Sequence, residues 1–100
     1  MRQLMVRYTV KPECVAENEE LVRAVYASLH ELEPSGFGYA TFRLEDGVSF
    51  VHLVNETGEG SIALNDVPAF QAFVEHIGDR CVEGPVATTM SPVGSFHLFD

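Results

Sequence analysis

The sequence predicts a single α+β domain in which two helices cover one face of a four-stranded antiparallel sheet. Three observations predict this fold class. Alternating apolar residues mark a first strand, helical spacing marks two amphipathic segments, and an Asp-Gly pair separates two further strand-like runs. The 100 residues are enough for one hydrophobic core, so residues 1–100 are treated as one domain.

The first strand and the first helix follow one another directly. Residues 4–10 alternate between apolar and mixed positions, which is the periodicity of a strand, and residues 11–13 contain a proline that ends it. Residues 16–33 carry apolar side chains at helical spacing and begin with several glutamates, which are favourable at a helix N-terminus. Residues 34–36, Pro-Ser-Gly, end this helix.

A β-hairpin is the clearest local prediction. Residues 37–44 and 48–55 are strand-like and flank Glu45-Asp46-Gly47, and Asp-Gly favours a type I′ turn because both central residues need positive φ. This turn fixes the register of the hairpin. The predicted cross-strand pairs are Arg43 with Phe50, Phe42 with Val51, Thr41 with His52, Ala40 with Leu53, and Tyr39 with Val54.

The remaining elements complete a βαββαβ order. A second helix starts near Asn65 or Asp66 and ends between residues 78 and 83, and residues 86–99 form two short strands divided at Ser91-Pro92. Right-handed crossovers place this order in a ferredoxin-like sandwich with an antiparallel sheet. The last strand, residues 93–99, is an extra C-terminal strand with no place in the four-stranded sheet.

The sheet face away from the helices is predicted to be apolar. By strand parity it carries five large apolar side chains, Met5, Phe37, Tyr39, Phe50 and Val54. So many exposed apolar groups favour a second copy of the sheet packed against the first. We therefore expect a homodimer that forms an α/β barrel, in which residues 93–99 pair across the interface.

The charge of the chain excludes several classes of partner. The 6 Lys and Arg residues against 15 Asp and Glu give a formal net charge of −9, which disfavours nucleic acid and anionic membrane surfaces. No segment approaches the roughly 18 apolar residues of a membrane span, and the N-terminus lacks a signal-peptide pattern. We expect a cytoplasmic protein with Cys14 and Cys81 reduced.

The order and length of these elements resemble the dimeric α/β-barrel superfamily, particularly its antibiotic biosynthesis monooxygenase-like (ABM-like) branch. The resemblance covers nearly the whole chain, including the first strand, the hairpin at Glu45-Asp46-Gly47 and the ending at residues 90–96. It implies a homodimer and relatives that include cofactor-independent oxygenases of polycyclic aromatics, heme-degrading enzymes and isomerases. The chain lacks the tryptophan and the first-strand asparagine of heme-degrading relatives, so heme is not implied.

Six polar residues are predicted to share the helix-free face: Arg7, Tyr39, Thr41, Arg43, His52 and Thr89. A histidine in such a group can take a phenolic proton while a guanidinium stabilises the resulting oxyanion. The predicted catalytic residues are His52, Arg43 and Tyr39, and the predicted substrate-binding residues are Arg7, Thr41, Phe50 and Thr89. The alternative is that these groups satisfy one another at the dimer interface or contact trapped water.

Two functions of different class follow from the sequence. The first, drawn from the resemblance, is a cofactor-independent monooxygenase-like enzyme that acts on a small aromatic or polyketide-type substrate inside the barrel. The second is a non-catalytic dimeric module that binds a small ligand or acts in a stress response. No paired His or Cys spacing typical of a metal site occurs, and no nucleotide-binding glycine pattern occurs, so no metal and no cofactor are predicted.

Overall fold

A computed structural model describes residues 2–56 and 63–97 and confirms the predicted α+β class. The strands are β1 (Arg2–Val10), β2 (Phe37–Arg43), β3 (Ser49–Glu56) and β4 (Cys81–Met90). The helices are α1 (Val15–Leu32), α2 (Pro68–Glu75) and the single turn α3 (Ile77–Arg80). The strands form an antiparallel sheet in the order β2-β3-β1-β4, which is the ferredoxin-like arrangement. None of the helices described is long and apolar enough to cross a membrane.

The register of the β2–β3 hairpin is the predicted one, although its turn is of a different type. Thr41 pairs with His52, and all four other predicted pairs are present. Gly47 has a φ of +80°, whereas Asp46 does not have the positive φ that a type I′ turn requires. The Asp46 carboxylate instead accepts hydrogen bonds from the backbone N–H groups of Val48 and Ser49. These side-chain bonds stabilise the connection without a second left-handed residue.

The predicted inward face is correct for β1 but wrong for the hairpin of β2 and β3. The buried residues Phe50, His52 and Val54 of β3 lie on the same face as Tyr8 and Val10 of β1. The rings of Tyr8 and His52 contact the ring of Phe73 in α2, so this face packs against the helices. The error arose because both faces of the hairpin are largely apolar and the polar residues were assumed to avoid the core.

The helix-free face consequently carries a different apolar set from the predicted one. Cross-strand pairing places Met5 beside Leu53, and Phe42 beside Val51, on this face. Phe42 is 49% exposed and Val86 of β4 is 64% exposed. Of the residues predicted here, Tyr39, Phe50 and Val54 belong to the opposite face, only Met5 keeps its place, and the Phe37 side chain lies outside the described part. Because this face is still apolar, its exposed residues Phe42 and Val86 favour a dimer as the predicted set did.

The chain after β4 differs from the prediction of an extra strand. Strand β4 begins at Cys81 and is a sheet edge, while residues 93–97, the described part of the predicted strand, are not in a strand. Residues 98 and 99 lie outside the described part. Pro92 and Gly94 disfavour a regular strand here.

Strand β4 also contains a β-bulge. Arg7 pairs with Val86 and Thr9 pairs with Glu83, so that Gly84 and Pro85 together oppose Tyr8. A bulge accommodates a proline within a strand because the extra residue leaves the hydrogen-bond ladder.

Candidate functional site

The centre of the candidate site is His52, a polar residue of β3 that is only 3% exposed. Its Nε2 atom lies 2.8 Å from the Tyr8 hydroxyl, and its Nδ1 atom lies 2.5 Å from the Tyr39 hydroxyl. The Thr41 hydroxyl lies 3.1 Å from the same Nδ1 atom. Both nitrogens of the ring are therefore hydrogen-bonded, which removes the cost of burying an unpaired polar group.

Strand pairing explains why these side chains meet. Strand β3 lies between β1 and β2, and Thr41 is the direct cross-strand partner of His52. Tyr39 precedes Thr41 by two residues and so points to the same face, and Tyr8 follows Val6, the β1 partner of His52, by two residues. Long side chains at such diagonal positions are within reach of one another.

Two buried residues of the helices extend this network. Asn18 of α1 is fully buried and donates a hydrogen bond from Nδ2 to the Tyr8 hydroxyl, at 2.9 Å. Arg80, at the end of α3, is 3% exposed and donates from Nε to Asn18 Oδ1 at 3.2 Å. It also donates from Nη2 to the Phe73 carbonyl at 2.6 Å, and its guanidinium lies 5.4 Å from the centre of the Phe73 ring. The network thus runs from α3 through α1 to the middle of the sheet.

A second branch leads from His52 towards the surface. The Tyr26 hydroxyl of α1 lies 2.8 Å from Thr41 Oγ1, and the Tyr26 ring stacks on Tyr39 with centroids 5.2 Å apart. The stacking holds the Tyr39 ring in place, so its hydroxyl is fixed beside His52.

A cavity of about 280 Å³ lies between this network and α2. The rings of Tyr39 and His52 form one wall, and Phe70 and Phe73 of α2 form the other, with Val54 beside them. The described walls expose only apolar surface to the cavity, because the hydroxyl and imidazole groups of the network bond to one another behind it. An apolar cavity of this size is a candidate small-molecule site.

Burial determines the ionisation of the site. Desolvation lowers the pKa of His52 to about 4 and raises the pKa values of Tyr8 and Tyr39 well above their ordinary value. At neutral pH the imidazole and both phenols are therefore uncharged. The site acts through hydrogen bonds rather than through a charge at His52.

The structure brings together only some of the predicted site residues. Tyr39, Thr41 and His52 are in contact, but on the helix side of the sheet rather than on its free face. Phe50 is buried and stacks on Tyr8, with ring centroids 5.5 Å apart, outside the cavity lining. Its role is to support Tyr8 within the core.

The two predicted arginines and Thr89 do not reach the cavity. Arg43 is exposed and pairs with Glu19 of α1 at 2.5 Å, in a separate surface groove. Arg7 is exposed on the opposite face, where it pairs with Val51 across the strands. Thr89 of β4 is exposed and lies opposite Leu4, away from His52. An arginine as the stabiliser of a substrate oxyanion, as predicted, does not fit this arrangement.

Sequence reasoning missed the parts of the network that lie outside the hairpin: Tyr8, Asn18, Tyr26 and Arg80. A signal existed for two of them. Asn18 precedes Val22 and Val25 on the apolar stripe of α1, at spacings of four and seven residues. Arg80 follows Phe73 and Ile77 at spacings of seven and three residues. A polar residue at a core position of a helix has to find a buried partner, so this pattern marks a polar network.

Known structures identify the fold. No family model matches the chain, and no curated protein matches it. A crystal structure of an antibiotic biosynthesis monooxygenase matches with a TM-score of 0.74 and 18% identity, over 94% of this chain and 100% of that chain. A putative antibiotic biosynthesis monooxygenase from Caulobacter crescentus CB15 matches with a TM-score of 0.71 and 20% identity, over 93% and 90% of the two chains.

A third solved structure is that of a variant of SnoaB, a cofactor-independent oxygenase from Streptomyces nogalater. It matches with a TM-score of 0.65 and 17% identity, over 96% of both chains. The likeness therefore extends over nearly the full length of these three chains. The chain has the ferredoxin-like fold of the antibiotic biosynthesis monooxygenase-like proteins.

Proposed function

We propose that the protein is a cofactor-independent, monooxygenase-like enzyme that acts on a small aromatic substrate in the cavity between the sheet and α2. The observation that carries the proposal is the hydrogen-bonded pair of Tyr39 and His52 in the wall of an apolar cavity. The solved structure of a cofactor-independent oxygenase with the same fold supports this reaction class.

The cavity favours a flat, largely apolar substrate, because the rings of Phe70 and Phe73 offer faces and edges for stacking. Our proposal requires the Tyr39 hydroxyl to turn from the network towards a phenol or carbonyl oxygen when the substrate binds. A volume of about 280 Å³ is at the lower end of ligand sites. The proposed substrate class is therefore a compact aromatic ketone or phenol of one to two rings.

The proposed chemistry needs dioxygen as the only co-reactant. A CH₂ group next to an aromatic ketone loses one proton to solvent before binding, and the resulting enolate oxygen accepts a hydrogen bond from the Tyr39 hydroxyl. The enolate carbon transfers electrons to dioxygen and forms a bond to one of its atoms. The CH₂ carbon becomes a second carbonyl, and the other oxygen leaves as water with both hydrogens. In this proposal Tyr39 contributes by stabilising the negative oxygen, and His52 contributes by holding the Tyr39 hydroxyl in position.

The test is dioxygen uptake by the purified protein with a panel of bicyclic aromatic ketones and phenols. We expect one dioxygen consumed per substrate, and kcat lowered about 100-fold in Tyr39→Phe and in His52→Gln. Arg43→Gln is the matched control, because this exposed residue lies outside the cavity and should leave kcat unchanged. Uptake that survives in both cavity variants would show that the reaction occurs elsewhere.

A second candidate function is a non-catalytic module that binds a small aromatic ligand. It is favoured by the low pKa of His52, about 4, because such an imidazole is a weak base. Quenching of tyrosine fluorescence by the same panel measures binding without turnover. Saturable quenching with no dioxygen uptake for any compound would select this second function.

A further inference from the structure

We propose that Arg80 and Asn18 are positioning residues that fix the direction of the hydrogen-bond chain ending at Tyr39. In this arrangement His52 carries its proton on Nδ1, the Tyr39 oxygen accepts a hydrogen bond from it, and Tyr39 keeps its own hydroxyl proton. The consequence for the ligand rests on the proposed function, whereas the position of the proton is a property of the protein alone.

The first link is set by Arg80, whose guanidinium can only donate hydrogen bonds. Its Nε group donates to Asn18, so the atom that faces Arg80 has to be the amide oxygen. The amide nitrogen of Asn18 consequently faces Tyr8, and there it donates to the phenolic oxygen. The orientation of a buried amide that can otherwise flip is thereby fixed.

The second link is set by Tyr8, which is 1% exposed. Its oxygen already accepts the bond from Asn18, so its own proton needs an acceptor to avoid the cost of an unpaired buried donor. Within residues 2–56 and 63–97, the one acceptor within hydrogen-bond distance is Nε2 of His52, at 2.8 Å. Nε2 is therefore the unprotonated nitrogen.

The third link follows from the chemistry of neutral imidazole, which has one N–H group. Because Nε2 accepts, the proton is on Nδ1, which donates to the hydroxyls of Tyr39 and Thr41. The Tyr39 oxygen accepts this bond and keeps its own proton. Tyr39 is then a hydrogen-bond donor, and under the proposed function this proton turns to a ligand oxygen that accepts.

The burial of Arg80 indicates that this residue has a specific role in the network. A buried cation is expensive, and among the described residues no carboxylate pairs with Arg80. Its contacts are the Asn18 amide, the Phe73 carbonyl and the Phe73 ring. An apolar residue at this core position would avoid the cost, but it would leave Asn18 without the donor that orients it.

Long-range proton–nitrogen NMR of isotope-labelled protein at neutral pH tests the proposal without substrate, since the couplings distinguish the two imidazole tautomers. The chain has 4 histidines, and the His52 signal is the one missing from the spectrum of His52→Gln. We expect the Nδ1–H tautomer in the wild-type protein. The Nε2–H tautomer would overturn the proposal even if the protein proves to be an oxygenase, and failure of the oxygenase assay would leave this result intact.

Asn18→Asp tests the direction of the hydrogen bonds between Arg80 and Tyr39, because it should reverse the bonds of Tyr8 and His52. A carboxylate beside Arg80 accepts from both neighbours, so Tyr8 would donate to Asp and accept from His52. We expect this variant to show the Nε2–H tautomer. The exposed Asn65→Asp adds the same charge outside the network and should keep Nδ1–H. A folded Asn18→Asp protein that retains Nδ1–H would refute the role of Asn18, and the wild-type measurement decides the case if that variant does not fold.

Discussion

Folding makes the imidazole of His52 harder to protonate, and this links the stability of the protein to pH. Burial lowers its pKa from the ordinary value of 6.5 to about 4. Between these values the unfolded chain binds a proton that the folded chain does not, so the free energy of unfolding decreases as the pH falls. The contribution of His52 is fully present above pH 6.5 and lost by about pH 4.

We predict that this residue accounts for about 3 kcal/mol of acid destabilisation across that range. Urea unfolding at a series of pH values measures it. His52→Gln should flatten the dependence of the unfolding free energy on pH, whereas His30→Gln, on the exposed side of α1, should keep the wild-type slope. Equal slopes in His52→Gln and wild type would contradict the buried, neutral imidazole.

The tyrosines give a second residue-scale prediction, at alkaline pH. The chain has 3 tyrosines, and burial raises the pKa of each of them, Tyr8, Tyr26 and Tyr39. The unfolded chain ionises near pH 10, so the stability that comes from keeping the phenols neutral is present below that pH and lost above it. We expect tyrosinate absorbance to rise together with the loss of helical circular dichroism. Absorbance that rises near pH 10 while the helices stay intact would refute the buried network.

Much of the network was beyond sequence reasoning because its members satisfy one another. His52 on the helix side appears unfavourable if each polar residue is considered alone, since an unpaired group there costs several kcal/mol. With Tyr8, Tyr39 and Thr41 as partners the cost disappears. Tyr39 and Thr41 on β2 followed from the register of the hairpin, whereas Tyr8 lies on β1 and had no such signal. Asn18 was indicated only by its place on the apolar stripe of α1.

Among the elements, α1 ends in a strained residue. Glu33 follows the helix with φ of 44° and ψ of 53°, a left-handed conformation in which its N–H bonds to the Leu29 carbonyl. A side chain is disfavoured in this conformation, whereas glycine adopts it freely. We predict that Glu33→Gly stabilises the protein by about 1 kcal/mol in thermal unfolding.

The matched control is Ala27→Gly, at an exposed position inside the same helix. There glycine loses helix propensity without relieving strain, and we expect a destabilisation of about 1 kcal/mol. Substitution by glycine should thus raise the melting temperature at position 33 and lower it at position 27. A loss of stability in both variants would show that Glu33 contributes more through its side chain than its backbone costs.

For the hairpin, the sequence predicts the register of the two strands but not the face that packs against the helices. Its register was correct because the spacing between the two apolar runs fixes the pairing, whatever the type of turn. Its orientation was wrong because Phe42, Val51 and Leu53 are as apolar as the residues that pack against the helices. When both faces of a sheet are apolar, hydrophobic patterning identifies the strands but does not decide which face becomes the core.

At the scale of the whole molecule, the exposed apolar face predicts association. Phe42 and Val86 lie on the helix-free face and are about half to two-thirds exposed, which is unfavourable for an isolated chain. We propose that two copies pack these faces together, as a dimeric barrel requires. Light scattering at micromolar concentration should give twice the 11.0 kDa mass of one chain.

Val86→Asp should convert this dimer into a folded monomer, because it places a charge within the interface and disturbs no core contact of one chain. Leu32→Asp is the control, since Leu32 is a similarly exposed apolar residue on α1, at 53%, away from the sheet. It should leave the dimer intact. A monomeric wild-type protein, or a dimer unaffected by Val86→Asp, would exclude this interface.

The bulge in β4 limits the addition of further strands at this edge of the sheet. As an edge strand, β4 displays unpaired backbone groups that invite further strands from other molecules, which is the route to fibrils. Gly84 and Pro85 break the regular spacing of those groups, and Pro85 has no N–H to offer. The edge therefore cannot nucleate an uninterrupted cross-β ladder along its whole length, and Pro85, which also lines the cavity, helps to protect the protein from open-ended polymerisation.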